Sequence, residues 1–190
     1  MTNQQDKLYR ERVLKGDVDA FSYFVDTYQN LAFTIALRIT NNREEAEDTV
    51  QEAFLKCFHS LHSFKGDSKF STWFYRIVYR KALDKVRKNS RQVFTEEISE
   101  VDYQLIDEVD DALEILDKKE KKIILNKAIQ KLHPEEQTII SLYYFEDLAI
   151  KEIATVIGIS ESNIKIKLFR ARKQLFALLQ GDLKLINRTE

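Results

Sequence analysis

Four glycines and one proline are the only strong conformational breakers in 190 residues. A sandwich or barrel turns about every 8 to 12 residues and needs turn chemistry at each corner. So few breakers exclude an all-β fold and predict long helices. Hydrophobic residues make up 44% of the chain and charged residues 32%, which supplies one or two small cores under a solvated surface and excludes disorder throughout. No stretch approaches the roughly 18 apolar residues of a membrane span, and residues 1–12 lack the apolar segment of a secretory signal. The expectation is a cytoplasmic chain without membrane insertion. The single cysteine, Cys57, cannot form an internal disulfide and fits a reducing compartment.

The net charge of −1 conceals a segregation of charge. Ten acids and no lysine or arginine lie between Gln92 and Asp117, and the rest of the chain holds 30 bases against 21 acids, a balance of +9. Two flanks that are basic in sum are joined by an acidic strap. That asymmetry is the electrostatic footprint of a nucleic-acid binder.

Helical periodicity sets the organisation. Apolar residues recur at helical intervals at Leu8, Val13 and Leu14, at Phe21, Phe24, Val25 and Tyr28, and at Leu31, Phe33, Ile35, Ala36, Leu37 and Ile39. Asn41 and Asn42 predict a turn. Over 44–61, at about 100° per residue, Ala46, Val50, Ala53, Phe54, Cys57 and Leu61 share one arc. Residues 63–69, with Gly66, read as a loop, and Ser71 or Thr72 is the expected cap of a helix running to about residue 89. After the strap, partly helical in its later part, comes a helix over 135–146 that packs through Ile139, Ile140, Leu142 and Tyr143. A short amphipathic helix over 150–157 ends at Gly158, and a long one capped by Ser160 ends near Gly181. The expected fold is all-α: a helical domain over 1–91, an acidic linker over 92–121, a helix-turn-helix domain over 122–182 and a tail over 183–190.

Three surfaces carry chemistry. Asp48, Gln51, Glu52, Leu55 and His59 lie opposite the apolar stripe of the 44–61 helix. They read either as a solvated face or as a docking surface in which a leucine anchor is ringed by carboxylates. Along 70–91, Trp73, Arg76, Arg80, Asp84, Arg87 and Arg91 share a side, with Tyr75, Tyr79, Ala82, Leu83 and Val86 on the core side. An aromatic beside an arginine row suits a single strand, offering a flat surface for an unstacked base and cations for its phosphates; core aromatics beside a solvated basic end are the alternative. In the last helix Ile164, Leu168, Ala171, Leu175 and Leu178 face inward. Ser162, Asn163, Ile166, Arg170 and Lys173 lie opposite, flanked by Lys165, Lys167 and Arg172, an arrangement that can read base edges in a major groove while the flanking bases hold phosphates; a basic helical hairpin that binds nothing is the alternative. Cys57, His59 and His62 have a ligand-like spacing, but helical geometry puts the thiol opposite the imidazoles, so no metal site is expected. His133, just before Pro134, reads as a residue at a helix start. Neither a phosphate loop nor a catalytic constellation is present, so no cofactor and no catalytic residue is assigned.

These residues together resemble the extracytoplasmic-function group of bacterial RNA polymerase sigma factors over nearly the whole chain. Ala46-Glu-Asp-Thr-Val-Gln-Glu-Ala-Phe-Leu-Lys56 resembles region 2.2, Ser63-Phe-Lys-Gly-Asp-Ser-Lys-Phe-Ser-Thr-Trp-Phe-Tyr-Arg-Ile77 region 2.3, and Ala82-Leu-Asp-Lys-Val-Arg-Lys88 region 2.4. Glu135-Glu-Gln137, Glu152-Ile-Ala154 and Asn163-Ile-Lys-Ile-Lys-Leu-Phe-Arg-Ala-Arg172 resemble region 4. The resemblance implies that Asp48, Gln51, Glu52 and Leu55 dock on core polymerase. It implies that the loop holding Phe64, Lys65, Gly66, Asp67, Lys69 and Phe70 captures a flipped base of the −10 element, and that the long last helix reads the −35 element. An anti-sigma factor is a further implied partner, and the strap would thread polymerase channels, a role that its carboxylates suit by matching nucleic-acid charge. Three positions depart from the family pattern. Arg80 stands near a usual Asn, Gln137 replaces a common arginine and so weakens a phosphate contact, and Ser162-Asn163 stands where Gly-Thr is frequent. A stand-alone helix-turn-helix regulator is the competing reading.

Overall fold

A computed structural model describes residues 4–89 and 125–186, and every regular element among them is helical. Helix α1 spans Gln4–Leu14, a 3-10 turn Val18–Phe21, α2 Ser22–Thr40, α3 Arg43–Ser60, a second 3-10 turn Leu61–Ser63 and α4 Phe70–Asn89. After a helical stretch over 125–130, α5 spans Pro134–Tyr144, α6 Ile150–Ile157 and α7 Glu161–Ile186. One compact unit holds α1 to α4 and takes in residues 151–159, and the other holds α5 and α7. Arg91, the expected linker over 92–121 and the tail beyond 186 lie outside the described residues.

The first unit is a bundle of α2, α3 and α4 around aromatic rings. Phe24, Phe70 and Phe74 have no solvent exposure. Phe24 lies 4.3 Å from Phe70, and Phe54 lies 4.5 Å from Phe74, between ring centroids. Such pairs contribute about 0.5–1.5 kcal/mol each beyond the area they bury. The turn between α2 and α3 is made by two asparagines with different tasks. Asn41 takes the left-handed conformation (φ 50°) and donates its N–H to Leu37 O, while the Asn42 side chain caps α3 by accepting from the Glu45 N–H at 3.1 Å. Asparagine tolerates the first geometry and is among the best residues at the second.

The expected α3 stripe is buried except Val50, which is half-buried; Thr49 is buried in addition, its hydroxyl donating to Glu45 O. On α4, Tyr75, Tyr79 and Ala82 are buried as expected, whereas Leu83 and Val86 are only half-buried, and Phe70, Phe74 and Val78 go deepest. Neither Ser71 nor Thr72 caps this helix. Burial of Phe70 draws the first turn into the core, Thr72 is buried inside it, and the Trp73 N–H donates to Lys69 O at 3.2 Å.

Helix α1 departs furthest from the apolar pattern. Leu8 and Leu14 are exposed, and what attaches the helix is polar: buried Asp6 accepts from the Tyr28 hydroxyl at 2.7 Å and the Tyr23 hydroxyl at 3.0 Å. Desolvation and the neighbouring carboxylate push the Tyr23 phenol up to about 12 and the Tyr28 phenol higher still. Tyr9 stacks on Tyr23 at 4.1 Å.

In the second unit Ile164, Leu168, Ala171 and Leu175 are buried as expected, joined by Phe169, with Leu179 taking the place expected for Leu178. Helix α7 does not stop at Gly181 but continues to Ile186. A glycine inside a helix costs about 1 kcal/mol relative to alanine, which weakens a helix without ending it. On α5, Ile139, Ile140 and Leu142 are buried and Tyr143 is half-buried.

Phe74→Ala is expected to destabilise the first unit by about 3–5 kcal/mol through loss of burial and the cavity left behind, whereas Leu55→Ala, at an exposed site, should change stability by less than about 0.5 kcal/mol. Urea unfolding followed by the fluorescence of Trp73, the only tryptophan, checks both. Equal effects would place the core elsewhere.

Candidate nucleic-acid and docking interfaces

A single helical face brings Asp48, Gln51, Glu52, Leu55 and His59 to solvent together, since the stripe beneath them fixes the rotation of α3. Leu55 is 61% exposed. Neither of the two carboxylates on this face is bare. Lys81 on α4 contacts Glu52 at 2.9 Å, and Lys85 approaches Asp48 at 3.5 Å. The Lys81 ammonium holds the Glu52 carboxyl below its usual range, outweighing the opposing desolvation. Leu55 also borders an apolar groove with Val18, Phe21, Val25, Phe54 and Phe58. Val18 is 61% exposed. Sequence spacing on α3 alone does not find Val18, which reaches the groove from the turn before α2.

Beyond the second 3-10 turn, Lys65, Gly66, Asp67 and Lys69 are exposed, and Gly66 at φ 82° makes a bend that suits glycine. The two phenylalanines grouped with them differ. Phe64 is 6% exposed and Phe70 fully buried, so they anchor the ends of the loop and do not face solvent. Burying aromatic rings stabilises the unit more than displaying them would. Half-buried Trp73 packs 5.2 Å from Phe64 and 5.6 Å from Phe70. Because α4 is continuous, Trp73, Arg76, Arg80 and Arg87 follow one face, with Arg80 and Arg87 exposed and Arg76 half-buried. The loop also has a partner that sequence reasoning missed: Arg10 of α1 donates to Phe64 O at 2.9 Å.

Cys57 is buried, and burial pushes its thiol up to about 12, while His59 and His62 are exposed. The thiol and the imidazoles therefore do not converge.

At the start of α7, the Asn163 N–H donates to the Ser160 hydroxyl at 3.3 Å, making Ser160 the cap. Gly158, at φ 89°, turns the chain out of α6. Ser162, Lys165 and Lys173 are exposed, and Asn163, Ile166 and Arg170 are half-buried. Lys167 pairs with Glu135 at 2.7 Å, and Arg172 lies 5.0 Å and 5.3 Å from the ring centroids of Tyr143 and Tyr144. Gln137 is not a weakened phosphate contact. It is 8% exposed, and its amide donates to Leu132 O at 2.8 Å and Gln130 O at 3.2 Å, closing the end of the 125–130 helix. His133 stands at the cap position of α5, ahead of Pro134 at the first turn.

Comparison with known proteins agrees with this geometry. Residues 24–92 match sigma-70 region 2, and residues 123–175 match sigma-70 region 4. The chain is 32% identical to the RNA polymerase sigma-H factor of Pseudomonas aeruginosa, over 97% of this chain and 98% of that protein. It is also 32% identical to the ECF RNA polymerase sigma factor SigW of Bacillus subtilis, over 87% of this chain and 91% of that one. Two solved structures share the fold. CnrH in complex with the cytosolic domain of CnrY superposes with a TM-score of 0.66 at 21% identity, covering 94% of this chain and 99% of its own. The sigma factor RpoE of Bartonella quintana, in complex with the anti-sigma factor NepR, gives 0.61 at 23% identity, covering 85% and 98%. Helical bundle and motif order converge: the chain belongs to the extracytoplasmic-function group of sigma-70 RNA polymerase sigma factors.

Proposed function

We propose that this chain, as an alternative sigma factor, divides promoter recognition among three of its surfaces and does so by binding energy alone, without a catalytic centre. Asp48, Gln51, Glu52 and Leu55 dock on core polymerase. Lys65, Gly66, Asp67 and Lys69 line the loop that takes a flipped −10 base, Trp73 supports unstacked DNA, and Arg76, Arg80, Arg87 and Arg91 follow its phosphates. Ser162, Asn163, Lys165, Ile166, Lys167, Arg170 and Lys173 meet the −35 duplex. Phe64 and Phe70 hold the loop from beneath. The domains serving these tasks are 1–91 and 122–182, the acidic linker 92–121 passes through polymerase, and the work takes place in the cytoplasm.

The observation that carries this reading is the segregation on one small bundle: an exposed leucine among carboxylates on α3, and an aromatic beside an arginine row on α4. Lys81 and Lys85 bridge the two faces, but exposed ion pairs contribute only about 0–1 kcal/mol, so a basic partner helix can displace them. An anti-sigma factor, the kind of partner seen with the Bartonella protein, competes for that acidic face. With a guanidinium at Arg80 in place of an amide, contact there favours phosphate or a guanine edge.

Run-off transcription with bacterial core polymerase on a promoter library is expected to yield specific transcripts only when the chain is added; a specific mobility shift by the chain without polymerase would instead favour a stand-alone regulator. Leu55→Glu should weaken core binding by about tenfold or more, as expected for an interface anchor, and undiminished co-purification with polymerase would reject that assignment. Trp73→Ala should impair promoter melting far more than polymerase binding, since a stacked base is worth about 1–3 kcal/mol. Permanganate footprinting of the holoenzyme measures it, and normal melting would refute the role.

A further inference from the structure

Helix α1 lies ahead of the residues that match sigma-70 region 2. It is not held by an apolar stripe, since Leu8 and Leu14 face solvent. Its attachments are specific and polar or aromatic: Asp6 to Tyr23 and Tyr28, and Tyr9 stacked on Tyr23. One turn beyond Asp6, Arg10 crosses to the 3-10 turn that leads into the loop. Its Nη2 donates to Phe64 O at 2.9 Å and its Nε to Leu61 O at 3.4 Å, and the guanidinium carbon sits 5.8 Å from the centroid of the Phe64 ring. Backbone carbonyls have two lone pairs each, and Leu61 O, which already accepts the Phe64 N–H at 3.3 Å, uses its second for Arg10. A planar guanidinium fork can serve two carbonyls at once, which a lysine's point charge cannot do in the same geometry.

We infer that α1 is a splint for the 64–69 loop and that Arg10 is the positioning residue through which it presets that loop for base capture. The inference rests on the loop assignment proposed above. At its far end the loop is pinned by the burial of Phe70, and at its near end by Arg10 on the carbonyls of Leu61 and Phe64. With both ends fixed, less of the loop remains to be ordered when a base enters. Preorganisation of this kind raises affinity by reducing the ordering cost of binding. Arg10 touches no base in this scheme, and it acts through the backbone it holds.

The test assembles holoenzyme from full chains carrying Arg10→Ala, Arg10→Lys or, as a charge-matched control on an exposed position of α1, Lys7→Ala. Three readouts are taken: core affinity, capture of the single-stranded −10 segment of a promoter selected from the library, and hydrogen exchange of the loop amides in the chain alone. Arg10→Ala is expected to weaken capture by about tenfold while core affinity stays within about twofold, with Arg10→Lys intermediate and Lys7→Ala unchanged. Loop amides should exchange faster in Arg10→Ala. Capture equal to that of the unmodified chain, unchanged exchange, or a parallel fall in core affinity and capture would overturn the inference, the last outcome marking a general stability role. If the unmodified holoenzyme fails to capture the strand, the loop assignment fails, and hydrogen exchange still decides whether Arg10 holds the loop.

Discussion

The burial of Phe70 fixes the geometry on which the first unit depends. As the opening residue of α4 it has no solvent exposure and packs against Phe24 of α2 and Phe64 before the loop. The end of the loop and the start of α4 are therefore set by the same core that sets the helix rotations. That rotation turns Trp73 and the arginine row outward together, because side chains three, four and seven residues apart share a helical face. Had α4 begun at Ser71 or Thr72, a polar cap would have replaced an aromatic pin. The loop would then have been tethered by hydrogen bonds that exchange with water, where it is now held by a close-packed ring.

Charge is arranged around this frame with little internal strength. The Lys81–Glu52 and Lys85–Asp48 contacts lie on exposed groups, and pairs of that kind are screened by salt and contribute little to stability. Their weakness fits the docking role proposed for this face. The buried Asp6 differs, because its carboxylate is shielded from water and has two phenolic donors in compensation. Removing either hydroxyl would leave a charge short of a partner in a poorly solvated place, where the penalty is several times larger than at the surface.

What was legible in the sequence follows the range of the forces involved. The α3 stripe, the asparagine turn, the Ser160 cap and the Gly158 turn are local: each is decided by residues within about one helical turn, so spacing and propensity reveal them. Asp6, Arg10 and Gln137 were not legible as the structure uses them. Their partners lie 17 to 54 residues away for the first two, and Gln137 caps a helix whose end no cap signal marks. Val18 joined Leu55 only once the fold brought the turn before α2 beside α3. Gly181 and the pair Ser71 and Thr72 were misread for the opposite reason: a local preference was present, but the helices run past it, α4 because Phe70 is buried ahead of the pair and α7 because one glycine weakens a helix without ending it. Propensities of about 1 kcal/mol yield to buried side chains worth about 1.5–3 kcal/mol.

The same distinction limits what a charge count says about DNA. Taken from the sequence, the basic flanks invite the assumption that every cation is available to phosphate. In the fold, Lys81 and Lys85 meet carboxylates, Lys167 meets Glu135, Arg172 lies against two tyrosine rings, and Arg10 is held by backbone carbonyls. Each such cation must exchange an internal partner for a phosphate, so its net contribution to binding is the difference between the two contacts. Counterion release is gained in full only where a cation begins in water. Exposed Arg80 and Arg87 on α4, with Lys165 and Lys173 on α7, are closer to that condition than the pairs just named. Under the proposed function, the electrostatic grip on a promoter is therefore concentrated on fewer residues than the composition suggests, and those residues lie beside the groups assigned there to base contact.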